Sequence, residues 1–127
     1  MVVDADIIIR FLTNDDPQKA LSFQKFLEDG AKVLLTDVTV AEVYWTLKSF
    51  YKFSKEKILL NLETLLTLPQ IDANKELIIE TLSLLKKINV SFIDAYLAVF
   101  SCLKNDGKIL SFDKGFDKIK SIERIEP

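Results

Sequence analysis

The spacing of apolar and polar residues changes period several times along this chain. "MVV" is a short apolar run that meets Asp4 and predicts a buried strand. "NDDPQKALSFQKFLEDG" then repeats its apolar residues at helical spacing. Asp16 stands at the N-cap, Pro17 at the first helical position and Gly30 just past the end. "KVLLT", bounded by Asp37, predicts a second strand, and "VTVAEVYWTLKSFYKF" returns to helical spacing. Ser54 restarts a helix through "KEKILLNLETLLTL", and Pro69 stops it. "QIDA" is at most a brief strand. Asn74 caps "KELIIETLSLLKKI", and Ser91 caps "FIDAYLAVFSCLKN", which ends at Gly107. "KILSF" predicts another strand, "DKGFDKIK" a turn or single helical turn, and "IERIE" a last edge strand.

Strands separated by helical hairpins predict an α/β chain: a three-layer sandwich with a short, mostly parallel central sheet flanked by helices. At 127 residues the expectation is one domain over 1–127, with no repeat or linker inside it. A content of 49% hydrophobic and 28% charged residues, with three Gly and three Pro, is that of a compact chain. No apolar run is long enough to span a bilayer, and Asp4 and Asp6 occupy the place of a signal peptide's basic and apolar regions. The single cysteine, Cys102, makes no internal disulfide, which fits a reducing cytoplasm; it is expected as a small core residue on a helix.

The net charge of −2 is unlike that of a protein gripping nucleic acid along its whole surface. A nucleic-acid substrate would need local lysine patches or a bound cation to offset the acid. Histidine is absent, which excludes Ser–His–Asp and Cys–His catalysis, histidine-pair ribonuclease chemistry and ordinary zinc hydrolase sites. What remains is carboxylate, hydroxyl and lysine chemistry.

Ligands of open parallel sheets bind beyond the carboxyl ends of the strands. Asp4 ends the first predicted strand and Asp6 lies just after it. Glu42 falls early in the helix after "KVLLT", Asp94 in the first turn after Ser91, and Asp113 at the end of "KILSF" with Asp117 four residues on. Each has a bland reading as a turn acid, a solvated helix position or, for Asp94, half of a capping box with Ser91. As a set they are harder to dismiss, because Glu42 and Asp94 sit within apolar stretches. Clustered carboxylates repel unless a cation neutralises them. A histidine-free, all-oxygen pocket suits Mg²⁺ or Mn²⁺, and such a metal supports phosphodiester or phosphate chemistry.

In these residues the chain resembles a PIN domain, in particular the small VapC-type ribonuclease toxins of prokaryotic toxin–antitoxin pairs. "VVDADIIIRFL" resembles the family's opening Asp-x-Asn segment with its later Arg. "VTVAEVYWTL" is similar to the helix carrying the family's glutamate, "FIDAYLA" to its Asp-Ala motif, and "ILSFDKGFDKI" to its Ser/Thr-x-Asp ending. The resemblance implies a single PIN-like domain in which Asp4, Glu42, Asp94 and Asp113 hold Mg²⁺ or Mn²⁺ and cut RNA. It implies auxiliary places for Asp6, Ser111, Asp117 and Arg10. One departure is Asp6, which stands where the family usually has Asn. The resemblance further implies an endoribonuclease that stops translation, silenced by a cognate antitoxin and commonly a homodimer. Tyr44, Trp45, Phe50 and Phe53 are core residues or a partner surface. Lys48, Lys52, Lys55 and Lys57 are solvated charges or phosphate contacts.

Three alternatives compete. In a haloacid-dehalogenase-like phosphatase, Asp4 would be the nucleophile, Thr36 the strand-end hydroxyl and Asp113 with Asp117 the later acids. That reading leaves Glu42 and Asp94 unused, and Ile7 and Ile8 replace the small residues expected there. A receiver domain lacks a good phosphoacceptor, since Asp72 is poorly placed. A non-catalytic PIN-like module that binds RNA or a partner gives four acids at strand ends no purpose.

Overall fold

The computed structural model describes residues 1–127, which form two compact units, Met1–Lys75 and Glu76–Pro127. Six helices and short parallel strands make up the chain, so the α/β class expected from the periodicities is the one observed.

In the first unit, α1 (Ala5–Thr13) begins directly at Asp4 and ends at Asn14, whose left-handed backbone (φ 54°) closes the last turn onto the Arg10 carbonyl. The early start of this helix shortens the expected first strand to one parallel bridge, Val2 to Leu34. The Val3 amide donates to the Leu34 carbonyl at 3.0 Å. α2 (Pro17–Glu28) carries the predicted cap, Asp16, whose carboxylate accepts from the Lys19 amide. β1 (Val33–Leu35) pairs in parallel with β2 (Ile71–Ala73), in the register Val33 with Ile71, Leu34 with Asp72 and Leu35 with Ala73.

Between those strands run α3 (Asp37–Ser49) and α4 (Lys55–Leu66), capped by the Thr36 and Ser54 hydroxyls. α3 stops at Ser49, four residues before the end of the apolar pattern, because Lys52 adopts a left-handed backbone (φ 57°) that no helix continues through. α1 packs against α2 and α3, and Phe11 meets Phe23 edge to face with ring centroids 5.2 Å apart. Ile8, Val43, Leu47, Ile58 and Leu62 are among the fully buried side chains of this unit. Tyr44, a candidate for the surface, is buried with them, because it shares a helical face with Val40 and Leu47.

The second unit holds α5 (Lys75–Lys87), whose first residue closes the first unit, and α6 (Phe92–Lys104). It continues through β3 (Lys108–Leu110), a 3₁₀ helix (Lys114–Lys118) and β4 (Glu123–Ile125). β3 and β4 run parallel, Lys108 beside Glu123 and Leu110 beside Ile125. Ala98, Phe116 and Ile119 form a small core with Leu84, Ile88, Ile109 and Ile122 around it. Thr81 is buried in α5, and its hydroxyl donates to the Leu77 carbonyl at 2.7 Å, which satisfies it within the helix. Cys102 is not a core residue: it is exposed on α6, its thiol 3.8 Å from the Ser121 carbonyl oxygen. The buried face of α6 is set instead by Phe92, Ala95, Ala98 and Ser101, and position 102 falls off that stripe. No helix is long and apolar enough to cross a membrane.

Candidate active site

The candidate acids all lie near the beginnings of helices. Asp4 is the N-cap of α1; its Oδ1 accepts from the Ala5 amide at 2.8 Å, and the residue is exposed. Glu42 lies in the second turn of α3 and is exposed. Asp94 is half-buried in the first turn of α6, its amide donating to the Ser91 hydroxyl at 3.1 Å. Asp113 is the N-cap of the 3₁₀ helix rather than the end of a strand, because β3 stops at Leu110. Its Oδ1 accepts from the Gly115 amide at 2.7 Å. Negative charge is favoured at such helix starts, where amide donors lack intrahelical partners.

The auxiliary residues have defined partners. Ser111 accepts the Asp113 amide on its hydroxyl at 2.9 Å, which fixes the backbone just before the cap. Asp117 faces the Arg124 guanidinium, with Nε 3.0 Å from Oδ1, and Arg124 also reaches Glu126 and the Ser111 carbonyl. Hydrogen bonding to Asp117 raises the Arg124 pKa further above its ordinary value.

At α1, Asp6 and Arg10 form an ion pair at 3.2 Å across one helical turn. Arg10 also binds Asp15 at 2.7 Å, and the Tyr51 hydroxyl donates to the same Asp15 oxygen at 2.7 Å. Hydrogen bonding from the Tyr51 hydroxyl, then from Thr13, and after these the Arg10 charge hold the Asp15 carboxyl below its usual range. Asp15 in turn raises both Tyr51 and Arg10. Asp15 and Tyr51 were not singled out by any sequence pattern. Asp15 reads as a residue flanking the Asp16 cap and Tyr51 as part of an apolar helix, and the contact spans 36 positions.

Asp4, Asp6 and Arg10 line one open cavity of about 730 Å³, with an apolar wall that includes Ile7, Phe23 and Phe26. In the first unit, then, the structure brings Asp4, Asp6 and Arg10 to one cavity. In the second it ties Ser111 to Asp113 and Asp117 to Arg124.

Within neither unit do three acidic, cysteine or histidine side chains gather closely enough to form a preassembled metal cage. Carboxylate oxygen is the donor type that hard divalent cations take. In each unit the candidates are carboxylates, exposed except for the half-buried Asp94, and Asp4 and Asp113 each commit only one oxygen to the capped backbone.

A PIN domain family model matches residues 1–122. No curated protein matches the chain. The match covers nearly the whole length, and the chain belongs to the PIN domain family. PIN domains are generally nucleases that depend on divalent metal ions, and this membership replaces the phosphatase and receiver readings.

Proposed function

We propose that this PIN-domain chain is a Mg²⁺- or Mn²⁺-dependent endoribonuclease, the toxin of a type II toxin–antitoxin pair, and that residues 1–127 act as a single domain. The observation that carries the reading is that Asp4, Asp94 and Asp113 stand at the starts of three helices and Glu42 in the second turn of a fourth, in the order in which the family's acids occur. Asp4, Asp94 and Asp113 would hold the metal, with Glu42 as a further ligand or as the base that orients the attacking water. When bound, the metal supplies charge stabilisation at the phosphate and lowers the pKa of a water. The chain's own contributions are distinct. The helix-start amides keep the Asp4 and Asp113 carboxylates in position, and Ser111 steadies the segment leading into Asp113. Arg10 offsets the extra charge of Asp6, which stands where relatives usually carry Asn.

Two partners belong to this reading. The partly apolar cavity between Asp4 and Phe26 offers a place for an antitoxin segment beside the acids. Ile93, Leu97, Phe100 and Leu103, exposed at helical spacing on α6, offer a face to a second copy. A light-scattering mass of twice 14.5 kDa is expected for the homodimer, and a mass of 14.5 kDa would remove that part of the proposal.

The test of activity is cleavage of structured RNAs with Mn²⁺ or with EDTA, for the wild type, Asp4→Asn and Glu42→Gln. Cleavage should need metal and fall by roughly 10²–10⁴-fold in Glu42→Gln. A second readout is independent of turnover: Mn²⁺ at about 100 times its Kd should stabilise the wild type by about 2.7 kcal/mol and Asp4→Asn far less. Mn²⁺ binding without cleavage of any RNA would favour the non-catalytic binding module. Equal cleavage by all three proteins would sink the site assignment.

A further inference from the structure

The connection between α3 and α4 differs in composition from the rest of the chain. From Trp45 to Lys57 it reads WTLKSFYKFSKEK: four lysines, four aromatic residues and one acid, in a protein of net charge −2. Packing accounts for only some of these. Phe53 is half-buried with the Lys57 ammonium 3.9 Å from its ring centroid, whereas Phe50 is 75% exposed and Trp45 66% exposed.

The segment is also well held. The Phe50 and Tyr51 amides both return to the Thr46 carbonyl, at 2.9 and 3.2 Å, and the Phe53 amide returns to Leu47 at 3.0 Å. Phe50, Tyr51 and Phe53 follow one another edge to face, with centroids 5.1 and 6.0 Å apart. Tyr51 then joins the connection to the acid-lined cavity through hydrogen-bonded contacts: its hydroxyl binds Asp15, Asp15 binds Arg10, and Arg10 lines the cavity beside Asp4 and Asp6.

We propose that this connection is a docking strip for single-stranded RNA, with a base stacked on Phe50 and phosphates held by Lys48, Lys52 and Lys55. The strand then leads past Tyr51 toward Asp4. The inference rests on the nuclease reading and adds to it where the strand lies. Aromatic rings interleaved with cations suit single strands, because every base has a face to stack and every nucleotide a phosphate to pair. A cluster of net charge +3 is where an otherwise acidic chain tolerates a polyanion.

The test is fluorescence anisotropy of a short labelled oligouridine with the full chain in EDTA, so that nothing is cut. Lys48→Gln/Lys52→Asn/Lys55→Gln should weaken binding at least about tenfold at low salt and make the log–log salt slope shallower by about 2, at about 0.7 per lost contact. Phe50→Ala should weaken binding about tenfold with the slope unchanged, a division that a merely structural effect would not produce. Because Phe50 is exposed, this variant keeps the test decisive should the triple variant fail to fold.

Wild-type affinity in both variants, or no binding by the wild type, overturns the strip. Retained RNA affinity with lost binding of polyglutamate assigns the strip to an acidic protein instead, and overturns it equally. The two readings fail separately. Variants that bind normally while Asp4→Asn stops cleavage remove only the strip. Variants that lose binding while no metal yields cleavage remove only the nuclease.

Discussion

Asp15 is a residue whose partners, rather than its own exposure, set its behaviour. It accepts from both Tyr51 and Arg10, and its carboxyl titrates below the ordinary range, chiefly because of the Tyr51 hydroxyl. A carboxyl with a folded pKa below its unfolded value of about 3.9 contributes stability that is present above that value and lost as pH falls through the lower one. The melting temperature of the wild type should therefore exceed that of Asp15→Asn near neutral pH, and the gap should close in acid. A gap that stays constant down to pH about 2 would mean that the contact does not form in solution. Tyr51 behaves with the opposite sign. Its pKa is raised, chiefly by the bond to Asp15, so its contribution holds below about 10 and fades as pH rises through the higher folded value.

At the scale of elements, caps explain most of the boundaries. Ser54 and Ser91, which the sequence places at helix starts, accept the Lys57 and Asp94 amides, and either Ser→Ala change should cost about 1 kcal/mol by urea unfolding. The glycines after helices are not equivalent. Gly30 (φ 93°) faces open space, whereas a side chain at Gly107 (φ 77°) would collide with the Ser121 carbonyl. Both Gly→Ala changes strain the backbone, but Gly107→Ala should show the larger fall in urea midpoint, since Ser121 must also move. Equal falls would show that the α6–β3 turn yields freely. These boundaries were legible because caps and turn residues act within a few positions. The end of α3 was not, because the apolar pattern continues to Phe53 while the backbone at Lys52 leaves the helical region.

For the whole molecule, the proposal of one domain has a direct consequence. Denaturant unfolding followed by circular dichroism and by Trp45 fluorescence should give one coincident transition. Two separated transitions would mean that Met1–Lys75 and Glu76–Pro127 unfold independently, and would end the single-domain proposal. The absence of histidine carries equal weight at this scale, since no imidazole is present to serve as general base or metal ligand.

By itself the sequence determined the α/β class, five of the six helices and the caps at Asp16, Ser54 and Ser91, and it nominated Asp4, Glu42, Asp94 and Asp113 as candidates. Those properties depend on residues close together in the chain, where periodicity and capping operate. The helix α1 and the Thr36 cap went unread, and the expected Asn74 cap is not observed. Tertiary structure decided what depends on distant pairs. It reduced the first strand to a bridge with Leu34, buried Tyr44 and left Cys102 in solvent. It also tied Asp6 through Arg10 and Asp15 to Tyr51, a contact across 36 positions that carries no local signature. The physical reason is range: hydrogen-bonded caps and turns are settled within one or two turns of backbone, whereas burial and ion pairing depend on which surfaces the folded chain brings together.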